Sequence, residues 1–144
     1  MNHMTNEETE LLETARAAAK SAYCPYSNFP VGAAVATEKG VFIGCNIENA
    51  SYGLAVCAER VALFNARANG AREFYRLAVS CIVSKPVDPA GSRMPCGACR
   101  QVIAEFMAPE SRIIVDGAGV WSAASLLPAP FQLTVPDKKS EAST

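Results

Sequence analysis

The residues with chemistry to offer stand in two short runs, Cys57-Ala58-Glu59 and Pro95-Cys96-Gly97-Ala98-Cys99. A thiolate is a soft metal donor, and a Cys-x-x-Cys spacing lets two sulfurs converge on one ion. Cys57 supplies a third. Three protein ligands leave one position of a tetrahedral Zn²⁺ open, which is the catalytic pattern; structural zinc is closed by four. A water in the open position falls in pKa from about 15.7 to about 7. Glu59, two residues after Cys57, is then placed beside the metal, where a carboxylate takes a proton from water and returns it to a leaving group. The chemistry is metal-assisted hydrolysis, with one zinc per chain. The chain's one histidine is His3, so the first ligand is expected to be cysteine, and no histidine base is expected. Three thiolates would leave the zinc site net negative and the metal a weaker Lewis acid. Arg60 and Arg100 each follow a motif directly, and either can hydrogen-bond a thiolate and withdraw charge.

Each cysteine group falls where a helix should begin. Ala58–Ala68 and Gly97–Met107 have helical spacing, and helix N-termini carry free N–H groups and partial positive charge that favour thiolate over thiol. A further helix is expected over Glu8–Tyr23, from Leu11, Leu12, Ala15, Ala18, Ala19 and Ala22, stopped by Pro25. Val31–Thr37 and Val41–Ile47 read as strands joined by a hairpin at Glu38-Lys39-Gly40, with Gly40 free to take positive φ. Leu77–Val83 and Arg112–Val115 are apolar strands of the kind covered on both faces. Lys85–Pro95 is a loop, and Ser122–Leu127 a short helix before Pro128. The alternation predicts a mixed sheet with helices packed on its faces.

The whole chain bounds these readings. Its 144 residues fit one domain spanning 1–144, with frayed tails at about 1–6 and 136–144. A formal net charge of -1 gives no footprint for a nucleic acid polymer. No apolar run approaches the ~18 residues of a membrane helix, and the polar start is unlike a secretory signal, so a cytoplasmic location is expected. Among the six cysteines, Cys24, Cys45 and Cys81 are read as small core residues. One of them as a fourth ligand would make the zinc structural, but would leave Glu59 without purpose. Arg60 and Arg100 have a plainer reading as surface ion pairs, and Arg67, Arg72 and Arg76 read as a solvated face.

The Cys-x-Glu and Pro-Cys-x-x-Cys runs match a known signature of zinc deaminases. With Tyr26-Ser27-Asn28-Phe29-Pro30-Val31-Gly32-Ala33-Ala34, Gly44-Cys45-Asn46-Ile47-Glu48-Asn49-Ala50 and the extension Arg100-Gln101, the chain closely resembles the homotetrameric cytidine deaminases over about residues 10–131. The resemblance implies an α/β, three-layer α-β-α sandwich on a mixed, about five-stranded sheet. It implies hydrolysis of cytidine and deoxycytidine to the uracil nucleosides, in pyrimidine salvage. By the same likeness Phe29 packs against the base, Asn46 and Glu48 bond the ribose hydroxyls, and the Ala58 backbone holds the base carbonyl. Tyr52 and Phe131 would reach a neighbouring subunit's site in a homotetramer. Asp116-Gly117-Ala118-Gly119 stands where the family has a longer strand and turn, which leaves the fifth strand unassigned. A modified cytosine nucleoside, N4-substituted or resembling blasticidin S, is the alternative substrate, and a non-catalytic zinc-stabilised interaction module the alternative class.

Overall fold

The computed structural model describes residues 3–135. The first helix, α1 (Asn6–Ala19), opens on a capping box: Glu8 N–H donates to Thr5 Oγ1 at 3.2 Å and Thr5 N–H to Glu8 Oε2 at 2.9 Å. Thr5 and Asn6 thus belong to the helix start rather than to the expected tail, while residues 1–2 and 136–144 lie outside the described residues. Nor does the helix run on to Tyr23. It ends at Ala19 because Tyr23 is claimed by a bridge to Ile47: Tyr23 N–H donates to Asn46 O at 3.0 Å, and Glu48 N–H to Tyr23 O at 2.8 Å.

Next come β1 (Val31–Thr37), β2 (Gly40–Cys45), α2 (Ala58–Ala68), β3 (Phe74–Cys81), α3 (Gly97–Phe106), β4 (Arg112–Val115), β5 (Gly119–Ser122) and α4 (Ala123–Leu126). The sheet order is β2-β1-β3-β4-β5. β3 and β4 run parallel and the other neighbours antiparallel. Thr37 pairs with Gly40 at the hairpin, and Gly40 takes φ 104. Period-two alternation fills both faces. Ala34, Ala78 and Ile114 pack with Leu11, Leu12 and Ala15 of α1. Ala33, Val35, Leu77, Val79, Ile113 and Val115 pack with Ala62, Leu63 and Ala66 of α2 and Ile103 of α3. The result is the expected three-layer α-β-α arrangement.

Strand boundaries differ from expectation. β2 ends at Cys45 rather than Ile47, which instead bridges to Tyr23 and Val56. β3 begins at Phe74, whose ring meets Phe106 at 5.4 Å between centroids; the polar Tyr75 and Arg76 had hidden that start. Ile82 and Val83 leave the sheet and are exposed. β5 does form, because Gly117 (φ 71) and Gly119 (φ 107) turn the chain within the short segment.

Gly44 sets the distance between sheet and helix. A Cβ there would stand 2.3 Å from Ala62 N and 2.5 Å from Ala58 O, so only glycine lets α2 lie this close on β2. The register does the rest. Gly32 pairs with Cys45, Val31 with Cys81, and Val79 with Val115. The start of β1 and the ends of β2, β3 and β4 therefore share one end of the sheet, where α2 and α3 also begin. No helix among the described residues is long and apolar enough to cross a membrane.

Candidate metal centre and active site

Cys57 is the N-cap of α2 and Cys96 the N-cap of α3, and neither spends its side chain capping the helix. Cys99 lies one turn into α3, buried. Among the described residues these three form the one group whose His, Cys, Asp or Glu donor atoms all lie within 4.8 Å of one another. The sulfurs of Cys57 and Cys96 are 3.8 Å apart, and Cys96 Sγ donates to Cys99 Sγ at 3.5 Å. Zn–S bonds of ~2.3 Å at tetrahedral angles set neighbouring sulfurs about 3.8 Å apart. The donor set fits zinc in both its softness and its spacing, with a fourth position left over.

Charge is handled locally. Arg60, one turn after Cys57, donates from NH2 to its sulfur at 3.5 Å. The three thiols cannot all ionise unaided. A hydrogen bond from Cys99, and then Arg60, hold the Cys57 thiol well below its ordinary range, while that same bond and burial push Cys99 up. Arg60 Nε is buried without a partner. Arg100 does not touch a sulfur, contrary to the role allowed it by its position. Its Nε donates to Pro95 O at 2.7 Å and its NH1 to Leu126 O at 2.8 Å, tying α4 to the start of α3.

Glu59 is 5% exposed. Its Oε2 accepts from Cys99 Sγ at 3.6 Å. Burial, with the Cys57 charge behind it, raises its carboxyl above the usual range, as suits a group that must hold a proton between transfers.

A cavity of about 410 Å³ opens over this cluster, with Cys57, Ala58, Glu59 and Cys96 at one part of its wall and Phe29, Asn46 and Glu48 at another. Ala58 is the first residue of α2, so its N–H has no intrahelical partner. Asn46 braces the Phe29 strand entry: Oδ1 accepts from Val31 N–H at 2.8 Å and Nδ2 donates to Phe29 O at 2.8 Å. One amide hydrogen and one lone pair remain. Glu48 Oε1 accepts the N–H groups of Tyr26 and Ser27, each at 3.1 Å. Burial works against its ionisation, but these donors and the Ser27 hydroxyl outweigh it and lower the carboxyl.

Tyr52 and Phe131 do not line the cavity; they are 82% and 70% exposed. Phe131 is fixed only through its backbone, whose carbonyl accepts from Gln101 Nε2 at 3.0 Å. Cys24, Cys45 and Cys81 are not fully buried, as core residues would be. Cys81 lines the cavity, and so do Ser92, Arg93 and Met94. Sequence reasoning took Cys81 for a core residue and passed over the other three. The signal for the last three was their place just ahead of Pro95-Cys96.

Two helix N-termini thus present sulfur to one point, with a buried carboxylate beside it, on an open α/β sheet. The model of the cytidine and deoxycytidylate deaminase zinc-binding region matches residues 5–115. A cytidine deaminase of Sporosarcina psychrophila is 50% identical over 98 residues, 67% of this chain and 68% of that protein. One from Halalkalibacterium halodurans is 47% identical over 104 residues, 72% and 74% of the two chains. The crystal structure of a Burkholderia pseudomallei cytidine deaminase superposes with a TM-score of 0.75 at 48% identity, over 89% of this chain and all of that one. The chain belongs to the cytidine and deoxycytidylate deaminase family.

Proposed function

We infer that the protein hydrolyses the exocyclic amine of free cytidine and deoxycytidine, giving uridine and deoxyuridine, as a step of pyrimidine salvage in the cytoplasm. The observation that carries this reading is one cavity holding both Glu59 beside three convergent sulfurs and the polar pair Asn46 and Glu48. Cys57, Cys96 and Cys99 would hold one zinc ion per chain. Bound there, zinc would supply a water acidified to a pKa of about 7. Glu59 would take both protons of the attacking water in turn, giving the first to pyrimidine N3 and the second, from the hydroxyl formed at C4, to the departing amine. Its burial excludes bulk water from those transfers. Ala58 N–H donates to the base carbonyl, and Phe29 packs against the ring. The remaining hydrogen and lone pair of Asn46, with the carboxylate of Glu48, take the ribose hydroxyls.

The exposed Tyr52 and Phe131 support a homotetramer in which each chain completes a neighbour's site. Co-assembled from dissociated subunits, Glu59→Gln and Phe131→Ala chains should recover part of the activity that each lacks alone. Light scattering that shows a fully active monomer would refute the shared site.

An ultraviolet assay tests the function directly, over cytidine, deoxycytidine, free cytosine, N4-methylcytidine and blasticidin S. Turnover of the first two, with free cytosine far poorer, is expected. Preference for an N4-modified substrate, or no turnover of any nucleoside by zinc-loaded protein, would overturn the reading.

A further inference from the structure

The segment joining β3 to Pro95 carries a 3₁₀ turn over Ala90–Arg93. Arg93 is 7% exposed, although no carboxylate pairs with it among the described residues. Its guanidinium is instead held by the segment and by the β4–β5 turn. Nε donates to Ser84 Oγ at 2.9 Å, NH1 to Gly117 O at 3.1 Å, and NH2 to Lys85 O. Gly117 leaves room for this: at φ +71 it bears no side chain, and a Cβ there would sit 3.2 Å from Arg93 NH1. The turn is itself fixed, since Asp116 accepts from Arg16 Nε and NH2 at 2.7 Å each and from Ser80 Oγ at 2.7 Å. A rigid strut thus runs from α1 through the turn to Arg93.

Asp116 makes no ion pair with Arg93, though the two charges act on each other; a buried guanidinium must have its donors satisfied, and those of Arg93 are taken by the segment and the turn. The residues on either side of Arg93, Ser92 and Met94, line the substrate cavity, and Cys96 follows two residues after Met94. On the deaminase reading this stretch of wall, continuous in sequence with Cys96, faces the reacting edge of the pyrimidine.

We propose that Arg93 is a positioning residue: anchored on the β4–β5 turn, it holds Ser92 and Met94 as the wall that fits the pyrimidine and limits groups carried on its reacting edge. The proposal rests on the deaminase reading for its substrate, but the anchoring itself does not.

Two measurements keep these apart. Amide hydrogen exchange over 84–94 needs no turnover, and should accelerate at least tenfold in Arg93→Ala and less in Arg93→Lys, because a released segment opens locally. With cytidine, Arg93→Ala should raise KM about tenfold with kcat within about threefold and zinc unchanged, since loosened placement removes binding shared by ground and transition states. Its discrimination between cytidine and N4-methylcytidine should narrow. Gly117→Ala, which displaces the same guanidinium, should shift KM the same way, and the double variant should add little to either, as coupled sites do. A lower melting temperature with KM and discrimination unchanged would make Arg93 merely structural and overturn the proposal. Unchanged exchange would overturn the anchoring. A wild-type protein that ignores cytidine, with the exchange difference still seen in the variants, would refute the substrate reading alone. Should Arg93→Ala fail to fold, Arg93→Lys and Gly117→Ala carry the same measurements.

Discussion

Replacing Glu59 by Gln changes one atom in a side chain that is 5% exposed and within 3.6 Å of Cys99 Sγ. The amide keeps the volume and still accepts from the thiol, so packing and the sulfur cluster should survive. What it loses is the ability to take and return a proton. Positioned acid–base catalysis is worth roughly 10²–10⁴-fold per group. On the proposed reading Glu59 carries every proton transfer, since Glu48, the other carboxylate of the cavity, is engaged by the Tyr26 and Ser27 N–H groups. A fall in kcat of about 10⁴-fold, near the upper end, corresponds to about 5.4 kcal/mol at 1.36 kcal/mol per decade. Burying an amide costs less than burying a carboxylate, so the melting temperature should not fall. The assay is loss of cytidine absorbance, with zinc measured on the same sample. Turnover within tenfold of wild type, with zinc in place, would refute the role given to Glu59. Loss of zinc would refute the claim that its duty is protons and not the metal.

Cys96→Ala should abolish stoichiometric zinc by elemental analysis and lower the melting temperature, because metal binding and folding are coupled. Glu48→Ala should lower kcat/KM for cytidine by about 10- to 100-fold, the worth of a hydrogen bond to a charged group, with zinc unchanged. Asn46→Ala should cost more, since it also frees the backbone at Phe29 and Val31. The hydrogen bond from Arg112 lowers the carboxyl of buried Glu8, and that from Arg16 lowers Asp116, from ordinary values of 4.5 and 3.8. Their contribution to stability is complete above those values and disappears as pH falls through the lower, folded-state values. Melting temperature should therefore drop in acid, and Arg112→Ala should flatten that dependence; an equally steep drop in the variant would remove Glu8 as its source.

The helices that carry the cysteines were legible to within a residue, because each begins at a functional motif and shows an uninterrupted apolar stripe. The first helix was drawn too long. Ser21-Ala22-Tyr23 has nothing against helix in its composition, and only the bridge from Tyr23 to Ile47, across 24 positions, draws it out. β5 escaped assignment because it is four residues long and depends on two left-handed glycines, Gly117 and Gly119. Gly44 stood within a quoted motif, yet its meaning is a distance to Ala62 in another element, and sequence carries no such distance.

Arg60 and Arg100 show where a motif stops being informative. Each follows a cysteine, and each lies about one turn from a helix-capping sulfur, so spacing gives both the same claim on a thiolate. Arg60 takes it, its NH2 reaching Cys57. Arg100 is captured instead by Leu126 O and Pro95 O. The carbonyls that close a helix as short as α4 find no partner within it, and a guanidinium with five donors is the strongest taker within reach. The competition is settled by a segment 26 positions downstream. Arg60 meets no such competitor: its Nε, buried and unpartnered, leaves the sulfur as the acceptor its guanidinium finds. The one arginine therefore sets its charge against the sulfur cluster, while the other fastens the chain that leads from α4 to Phe131.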